Sequence, residues 1–189
     1  MDNRRRMMWK KPPENAIYYT STDGKALDGI SGLYDGVRVI SNTYDNNIGK
    51  IVFQKPITRI SSSMFSNKST LSSLYMPDTI TEIVSDCFKN CVNLTEVTFS
   101  SQLTILPQNS FANCGFTSIV IPDNIVRIKS AFTNCANLTN VTLGRNVTSI
   151  SEAFRGTSLE KIILPPSVSD ISRAFPSTLK QIYISDITQ

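Results

Sequence analysis

Two stretches decide the fold: Cys87-Phe-Lys-Asn-Cys-Val-Asn-Leu-Thr-Glu-Val-Thr-Phe99 and Ala131-Phe-Thr-Asn-Cys-Ala-Asn-Leu-Thr-Asn-Val-Thr-Leu143. They are two copies of one unit, and the unit recurs on both sides of them. Phenylalanine stands at 65, 88, 111, 132, 154 and 175, at spacings of 21 to 23 residues. An apolar anchor follows each Phe: Leu71, Leu94, Phe116, Leu138, Leu159 and Leu179. Then comes an alternating apolar pair: Leu74/Met76, Val97/Phe99, Ile119/Ile121, Val141/Leu143, Ile162/Leu164 and Ile182/Ile184, with Ile51/Phe53 heading the series. A second apolar pair, such as Ile80/Ile83 or Ile125/Ile128, precedes the next Phe. Self-similarity at this period marks a stacked array, in which no unit buries its apolar face alone.

Alternation puts two side chains inward and one outward, as a half-buried strand requires. One strand per coil predicts a solenoid with a parallel β-ribbon of about seven strands and short helical or 3₁₀ turns opposite. Pro77, Pro122 and Pro165, with Gly144 in the fourth unit, end strands where the ladder needs no further N–H. The Phe closes each coil from the opposite wall. From the second apolar pair to the Phe there are five steps in the first three units and four in the last three. That shortening predicts a helical or 3₁₀ turn in the C-terminal half and a change of curvature near residue 128.

These units resemble BspA-type leucine-rich repeats, whose pattern is AF-x-x-C-x-x-L-x-x-[IV]-x-[IL]-P followed by [IV]-T-x-I. The resemblance covers residues 51–184 and implies a leucine-rich-repeat solenoid, α/β in class and dominated by β-structure. It also implies a surface or secreted binding protein of the kind found in gut anaerobic bacteria and their phages. Residues 17–25 resemble a segment that often precedes such repeats. The departures are the missing Gly after the second Ile, Gly156 in place of Cys in the fifth unit, and Ser177 near that place in the sixth.

Three regions follow: a basic tail at 1–15, an N-terminal β cap at 16–50 and the solenoid at 51–189. In the cap, Asp23 and Gly24 mark a turn after a strand at Ile17–Thr20, and Val37–Ile40 and Ile51–Phe53 flank a hairpin with a long loop at Asp45–Gly49. The cap covers the first apolar coil. Only Ser185–Gln189 follow the last strand, so the terminal coil is a candidate contact surface or homo-oligomer interface.

The chain has 19 Lys plus Arg, 15 Asp plus Glu and no His. Without His there is no Ser/His or Cys/His nucleophile and no His-containing metal site. Residues 1–11 carry five basic side chains against Asp2 alone, which leaves 14 basic and 14 acidic residues in a neutral remainder with no overall attraction to nucleic acid. After Arg6 only Met7, Met8 and Trp9 precede Lys10, too short an apolar run for a secretory signal, and none approaches the roughly 18 residues of a membrane span. The 8 Gly form no phosphate loop, and acids such as Asp78, Glu82, Asp123, Glu152 and Asp170 are scattered on link segments. We expect no enzyme, no cofactor and no small-molecule substrate.

Cys91, Cys114 and Cys135 share one repeat position and Cys87 lies beside Phe88, with no CxxC among them, which predicts a buried thiol ladder and no metal. Asn90, Asn113 and Asn134 are expected to bond backbone groups at the turns. The sequon residues Asn93 and Asn137 are expected to turn into the coil and carry no glycan. Outward strand positions should form a column of Tyr75, Thr98, Val120, Thr142, Ile163 and Tyr183, flanked by Glu96, Ser118, Asn140, Lys161 and Gln181. Tyr75, Val120, Ile163 and Tyr183 are the candidate partner-binding residues; the alternative is an ordinary strand surface, since these types also favour strands. Arg4, Arg5, Arg6 and Trp9 form a second candidate, a tail that is either solvated or docks on a partner. The function that fits is a non-catalytic protein–protein interaction module, placed first as a structural or decoration component of a bacteriophage particle, in a virion or extracellular setting. The alternative is a bacterial cell-surface adhesin or ligand-binding protein whose start lies upstream.

Overall fold

The computed structural model of the chain describes residues 13–185. The N-terminal region forms β1 (Ala16–Ser21), β2 (Leu33–Tyr34), β3 (Val37–Asp45) and β4 (Ile48–Phe53). The repeats follow as six coils. One wall of the coils carries β6 (Leu71–Tyr75), β8 (Glu96–Thr98), β10 (Ser118–Val120), β12 (Asn140–Thr142), β13 (Lys161–Leu164) and β14 (Gln181–Ile184). A second wall carries β5 (Arg59–Ile60), β7 (Glu82–Ile83), β9 (Ile105–Leu106) and β11 (Arg127–Ile128), continued by parallel bridges from Arg127 to Ser149 and from Ser149 to Asp170. One helical turn, α1 (Ser62–Phe65), stands in the first coil.

The cap departs from expectation in two ways. The parallel ribbon has six strands rather than about seven, because β1 lies between β4 and β6, antiparallel to both. Ile51–Phe53 therefore does not stack on the first coil. β1 does so instead, burying Ala16, Ile17 and Tyr19. The second difference is the hairpin. Asp45 pairs with Ile48 across Asn46 and Asn47, at φ 48° and 63°, so the loop read as long is a tight two-residue turn. Left-handed pairs of this kind match the twist of the strands they join, and Asn tolerates them. Asp35 and Gly36, at φ 55° and 76°, make an equivalent turn between β2 and β3. The Tyr19 ring lies over Gly49, where any Cβ would run into it. Its hydroxyl donates to Asn42 Oδ1 at 2.6 Å and accepts the Leu27 N–H at 3.1 Å, while the Asn42 amide donates to the Leu27 carbonyl at 2.8 Å. One buried tyrosine thereby ties the loop before β2 to both β1 and β3.

The outer wall explains why helical turns are scarce, and why the one found is in the first coil rather than the C-terminal half. In the next four coils the residues two before and two after the Phe are left-handed: Asp86 and Asn90, Asn109 and Asn113, Ser130 and Asn134, Glu152 and Gly156, at φ between 49° and 70°. Such residues cannot continue an α-helix. They direct the intervening N–H groups along the solenoid axis instead. Phe88 N–H donates to the Ser110 carbonyl at 2.8 Å and Asn90 N–H to that of Ala112 at 2.9 Å. One coil on, Phe111 and Asn113 do the same to Ala131 and Thr133 at 2.9 and 3.0 Å.

Inside, the aromatic rings stack in a file. Phe65–Phe88, Phe88–Phe111, Phe111–Phe132 and Phe132–Phe154 have centroid separations of 5.1, 5.0, 5.6 and 5.9 Å with interplanar angles of 20° or less. Phe111 also meets Phe99 and Phe116 edge-on at 5.8 and 6.0 Å. Phe175, at the end, is only partly buried. The residue before each Phe fills a tight column of Met64, Cys87, Ser110, Ala131, Ala153 and Ala174, all at most 1% exposed. Ser110 Oγ there is buried without a hydrogen-bond partner.

Two stability outcomes follow. Phe111→Ala opens contacts to both neighbouring coils and should lower unfolding free energy by about 3–5 kcal/mol, against roughly 1–2 for Phe175→Ala, by urea denaturation. Ser110→Ala removes a buried, unpaired hydroxyl from a column that holds Ala in the next three coils, and should raise stability by about 1 kcal/mol.

Candidate partner-binding face

The register of the ribbon assembles the predicted column. Tyr75 pairs beside Thr98, Val120 beside Thr142 and Ile163 beside Tyr183. Val120, Ile163 and Tyr183 are 67%, 57% and 48% exposed, although their strand neighbours Ile119, Ile121, Ile162 and Leu164 are core. Tyr75 is half-buried, because β1 sets Tyr18 opposite it. Lys50 Nζ sits 5.6 Å from the centre of the Tyr18 ring and closes this end of the face with a cation over an aromatic. Arg4, Arg5, Arg6 and Trp9 lie outside the described residues.

Reading the repeat as uniform misses a feature of this face. The ribbon is paired as β6 with β8, β10 with β12, and β13 with β14, and the ladder lapses between β8 and β10 and between β12 and β13. A shallow groove opens at each lapse. The first, about 430 Å³, is lined by Glu96, Ser118 and Val120 among others. The second, about 360 Å³, is lined by Asn140, Thr142, Lys161, Ile163, Gln181 and Tyr183. Both lapses fall where a coil with six residues from Phe to anchor (Phe88 to Leu94, Phe132 to Leu138) precedes one with five (Phe111 to Phe116, Phe154 to Leu159). The shorter coil meets its predecessor early, through Gly115 N–H to the Leu94 carbonyl and Ser158 N–H to the Leu138 carbonyl, both 3.0 Å. Gly115 permits this because a Cβ would collide with the Val92 carbonyl. The same shortening from the fifth coil to the sixth, Phe175 to Leu179, leaves β13 and β14 in full register, so the spacing alone does not mark a lapse.

The thiol ladder is present and structural. Cys91, Cys114 and Cys135 each donate Sγ–H to the carbonyl of the Phe one coil back (Phe65, Phe88 and Phe111) at 3.0, 3.2 and 3.1 Å. All four cysteines are free and buried. Burial disfavours the thiolate, pushing Cys91 and Cys135 up to about 12 and raising Cys87 and Cys114 as well. In the fifth coil the ladder position holds Thr157, whose hydroxyl donates within its own coil, to the Phe154 carbonyl at 2.8 Å, so the cross-coil ladder ends at Cys135. Gly156 sits instead in the Asn column, at φ 70°. That column bonds to itself rather than to backbone: the Asn90 amide donates to Asn67 Oδ1 at 2.8 Å, and Asn113 to Asn90 Oδ1 at 2.6 Å. The sequon residues Asn93 and Asn137 are exposed, not turned into the coil, and Asn93 donates to the Ser69 carbonyl at 2.7 Å. A different residue, Asn124, reaches carbonyls across coils, those of Ser100 and Leu103 at 3.0 and 2.6 Å.

Among the described residues no helix is long and apolar enough to cross a membrane. The thiols give a pH test. They ionise near 9 when unfolded but stay protonated in the fold, so their contribution to stability is full below pH 9 and is lost as pH rises from there toward 12. Each thiol should cost about 1.4 kcal/mol of stability per pH unit in that window, and Cys91→Ala should reduce the slope by one thiol's share in urea titrations between pH 8 and 10.5.

Comparison with known proteins places these observations. The model of the BspA type leucine rich repeat region matches residues 58–183, in six copies. No curated protein matches. A leucine rich cell surface protein from Faecalibacterium prausnitzii aligns with TM-score 0.51 at 21% identity, over 94% of this chain and 55% of that one. A leucine-rich repeat protein from Bacteroides ovatus aligns with TM-score 0.51 at 20% identity, over 77% and 46%. The pneumococcal vaccine antigen PcpA aligns with TM-score 0.51 at 24% identity, over 68% and 35%. These likenesses are of fold, and the chain spans between about a third and just over half the length of those three structures. With six repeat copies over two thirds of its length, the chain belongs to the BspA-type leucine-rich repeat family.

Proposed function

We propose that this chain is a non-catalytic protein-binding module that works outside the cell, at a bacterial surface, and grips its partner on the ribbon face. The observation that carries the reading is the exposed column of Val120, Ile163 and Tyr183 beside two grooves, on strands whose alternate residues Ile119, Ile121, Ile162 and Leu164 are buried in the core. A solenoid presents one adjustable outward residue per coil, so such a face recognises an extended protein surface. Support for the location comes from the family and from the cell-surface protein of like fold. A bacteriophage decoration role would use the same face. Chain found in purified phage particles rather than on protease-shaved cell surfaces would favour that role.

Beyond the tail the chain is neutral, so contact should rest on apolar and hydroxyl groups. Val120→Glu combined with Ile163→Glu should weaken capture of a partner from surface extracts by at least about tenfold, with the melting temperature unchanged because both side chains are exposed. Affinity should change less than about threefold between low and high salt, and equally little when residues 1–12 are removed. Binding that survives the double substitution, or that disappears with the tail, would overturn the reading.

A further inference from the structure

We propose that the partner enters this face as an extended peptide segment laid along the gap between β12 and β13, with an acidic side chain at Lys161 and an aliphatic one two residues away. This rests on the ribbon face being the binding surface, and it names what that surface takes.

The groove at this lapse continues beyond the residues already named. Past Thr142 and Ile163 it opens into a second hollow of about 250 Å³, lined also by Val141, Leu143, Pro165 and Ser185. Thr142 and Ile163 border both hollows, so the two lie in line along the strands. Their offset, from Lys161 past Ile163 to Pro165, repeats a step of two strand residues, roughly 6–7 Å. An extended segment presents side chains i and i+2 on one face at that same step.

The two hollows differ in chemistry. The first is rich in donors. Lys161 is the only charged residue lining it, and among the described residues Lys161 has no ion-pair partner, because the adjacent Glu160 is held by Lys180 at 2.8 Å. Gln181 stands beside Lys161 in register, and the Asn140 amide gives one of its two protons to Thr139 Oγ1 at 3.1 Å, leaving the other. An ammonium between two carboxamides fits a carboxylate. The second hollow has no charge, and Leu143 and Pro165 give it an apolar floor. The groove at the other lapse carries Glu96 and no cation among its lining residues, so an acidic side chain is directed to the β12–β13 gap and away from the one between β8 and β10.

Two observations favour peptide over a carboxylated sugar chain. The ridge between the hollows is Ile163 and the floor beyond it is Leu143 and Pro165, surfaces that take aliphatic side chains. β12 and β13 also exchange no ladder bonds, so main-chain donors and acceptors border the gap, and an extended peptide brings a main chain that matches them. One ion pair in a groove leaves the salt dependence of binding small, as expected for the whole face.

Selection of an mRNA-displayed library of random linear dodecapeptides on the full chain tests this. Enriched sequences should carry Asp or Glu with Leu, Ile or Val two positions away. By fluorescence anisotropy their dissociation constants should rise at least about tenfold on Lys161→Glu, and exchanging the peptide's acid for Lys should recover at least about threefold on that variant. Lys161 is exposed, so the melting temperature of the variant should match the parent. Polygalacturonate, a carboxylated sugar chain, should not displace the peptides. No enrichment, enriched sequences without the acid, indifference to Lys161→Glu, or displacement by polygalacturonate would each overturn the proposal. Peptides that ignore Lys161→Glu but are lost on Val120→Glu with Ile163→Glu leave the face as the binding surface and sink only this assignment of its ligand; peptides indifferent to both sink both.

Discussion

Every coil of this protein must advance along the solenoid axis by one strand spacing, about 4.8 Å, on all its walls at once. The ribbon sets that step through its ladder. The outer wall follows it because left-handed residues on either side of each Phe turn N–H groups toward the next coil. Between the walls, the Phe rings stack 5.0 to 5.9 Å apart, close to the same spacing. A side chain in one coil therefore meets mainly its own equivalents above and below. This makes each column select one class of residue: flat rings at Phe, small groups just before it, a side-chain donor at Cys or Thr, and Asn or Gly where the backbone is left-handed. The repeat in the sequence is the consequence of that shared step.

A stack governed by neighbours has its difficulty at the first coil, where one neighbour is missing. The N-terminal end resolves this with a strand of opposite direction. Because β1 is antiparallel to β6, it closes the ladder and is held in turn by β4 and the Tyr19 hydroxyl network. Nothing comparable covers β14 among the described residues, and the exposure of the inward positions jumps within a single coil. The first coil is thus finished by local hairpins, while the last described coil retains the geometry of an interior one.

Periodic features were legible in the sequence because each is repeated under one constraint. The Phe file, the inward pairs, the thiol ladder and the outward column could all be placed by counting from one unit to the next. What escaped was whatever occurs once. β1 pairs with β6 across more than fifty residues, and no spacing rule links them. Asn46 and Asn47 read as loop residues because a left-handed pair of Asn is a weaker signal than Asn-Gly. Gly156 reads as a lost Cys because it lies one residue from the Cys position. Counted from Phe154 it stands in the Asn column, and Thr157, bonded within its own coil, holds the Cys position. Asn93 was assigned inward by analogy with a template, whereas its amide reaches along the outside to Ser69.

The candidate site combines both kinds of feature. Its outward column is set by the period, and its two grooves are set by departures from it. Dropping one residue between Phe and anchor leaves the core columns intact, as Phe116 and Leu159 remain fully buried. The lost length is taken up where the coil enters the ribbon, at Gly115 and Ser158, and the strands beyond those points separate. At these two coils the surface gains relief while the rings that hold the stack together stay in file. The inward residues answer to the neighbouring coil and are held to one class. The outward residues answer to nothing within the chain, so Thr98, Val120, Thr142, Ile163 and Tyr183 differ freely in size and polarity while sharing one backbone geometry. A fold that separates these two demands so completely can change what it grips by single outward substitutions and single-residue changes in coil length, which is the physical basis for reading this face as the part that binds.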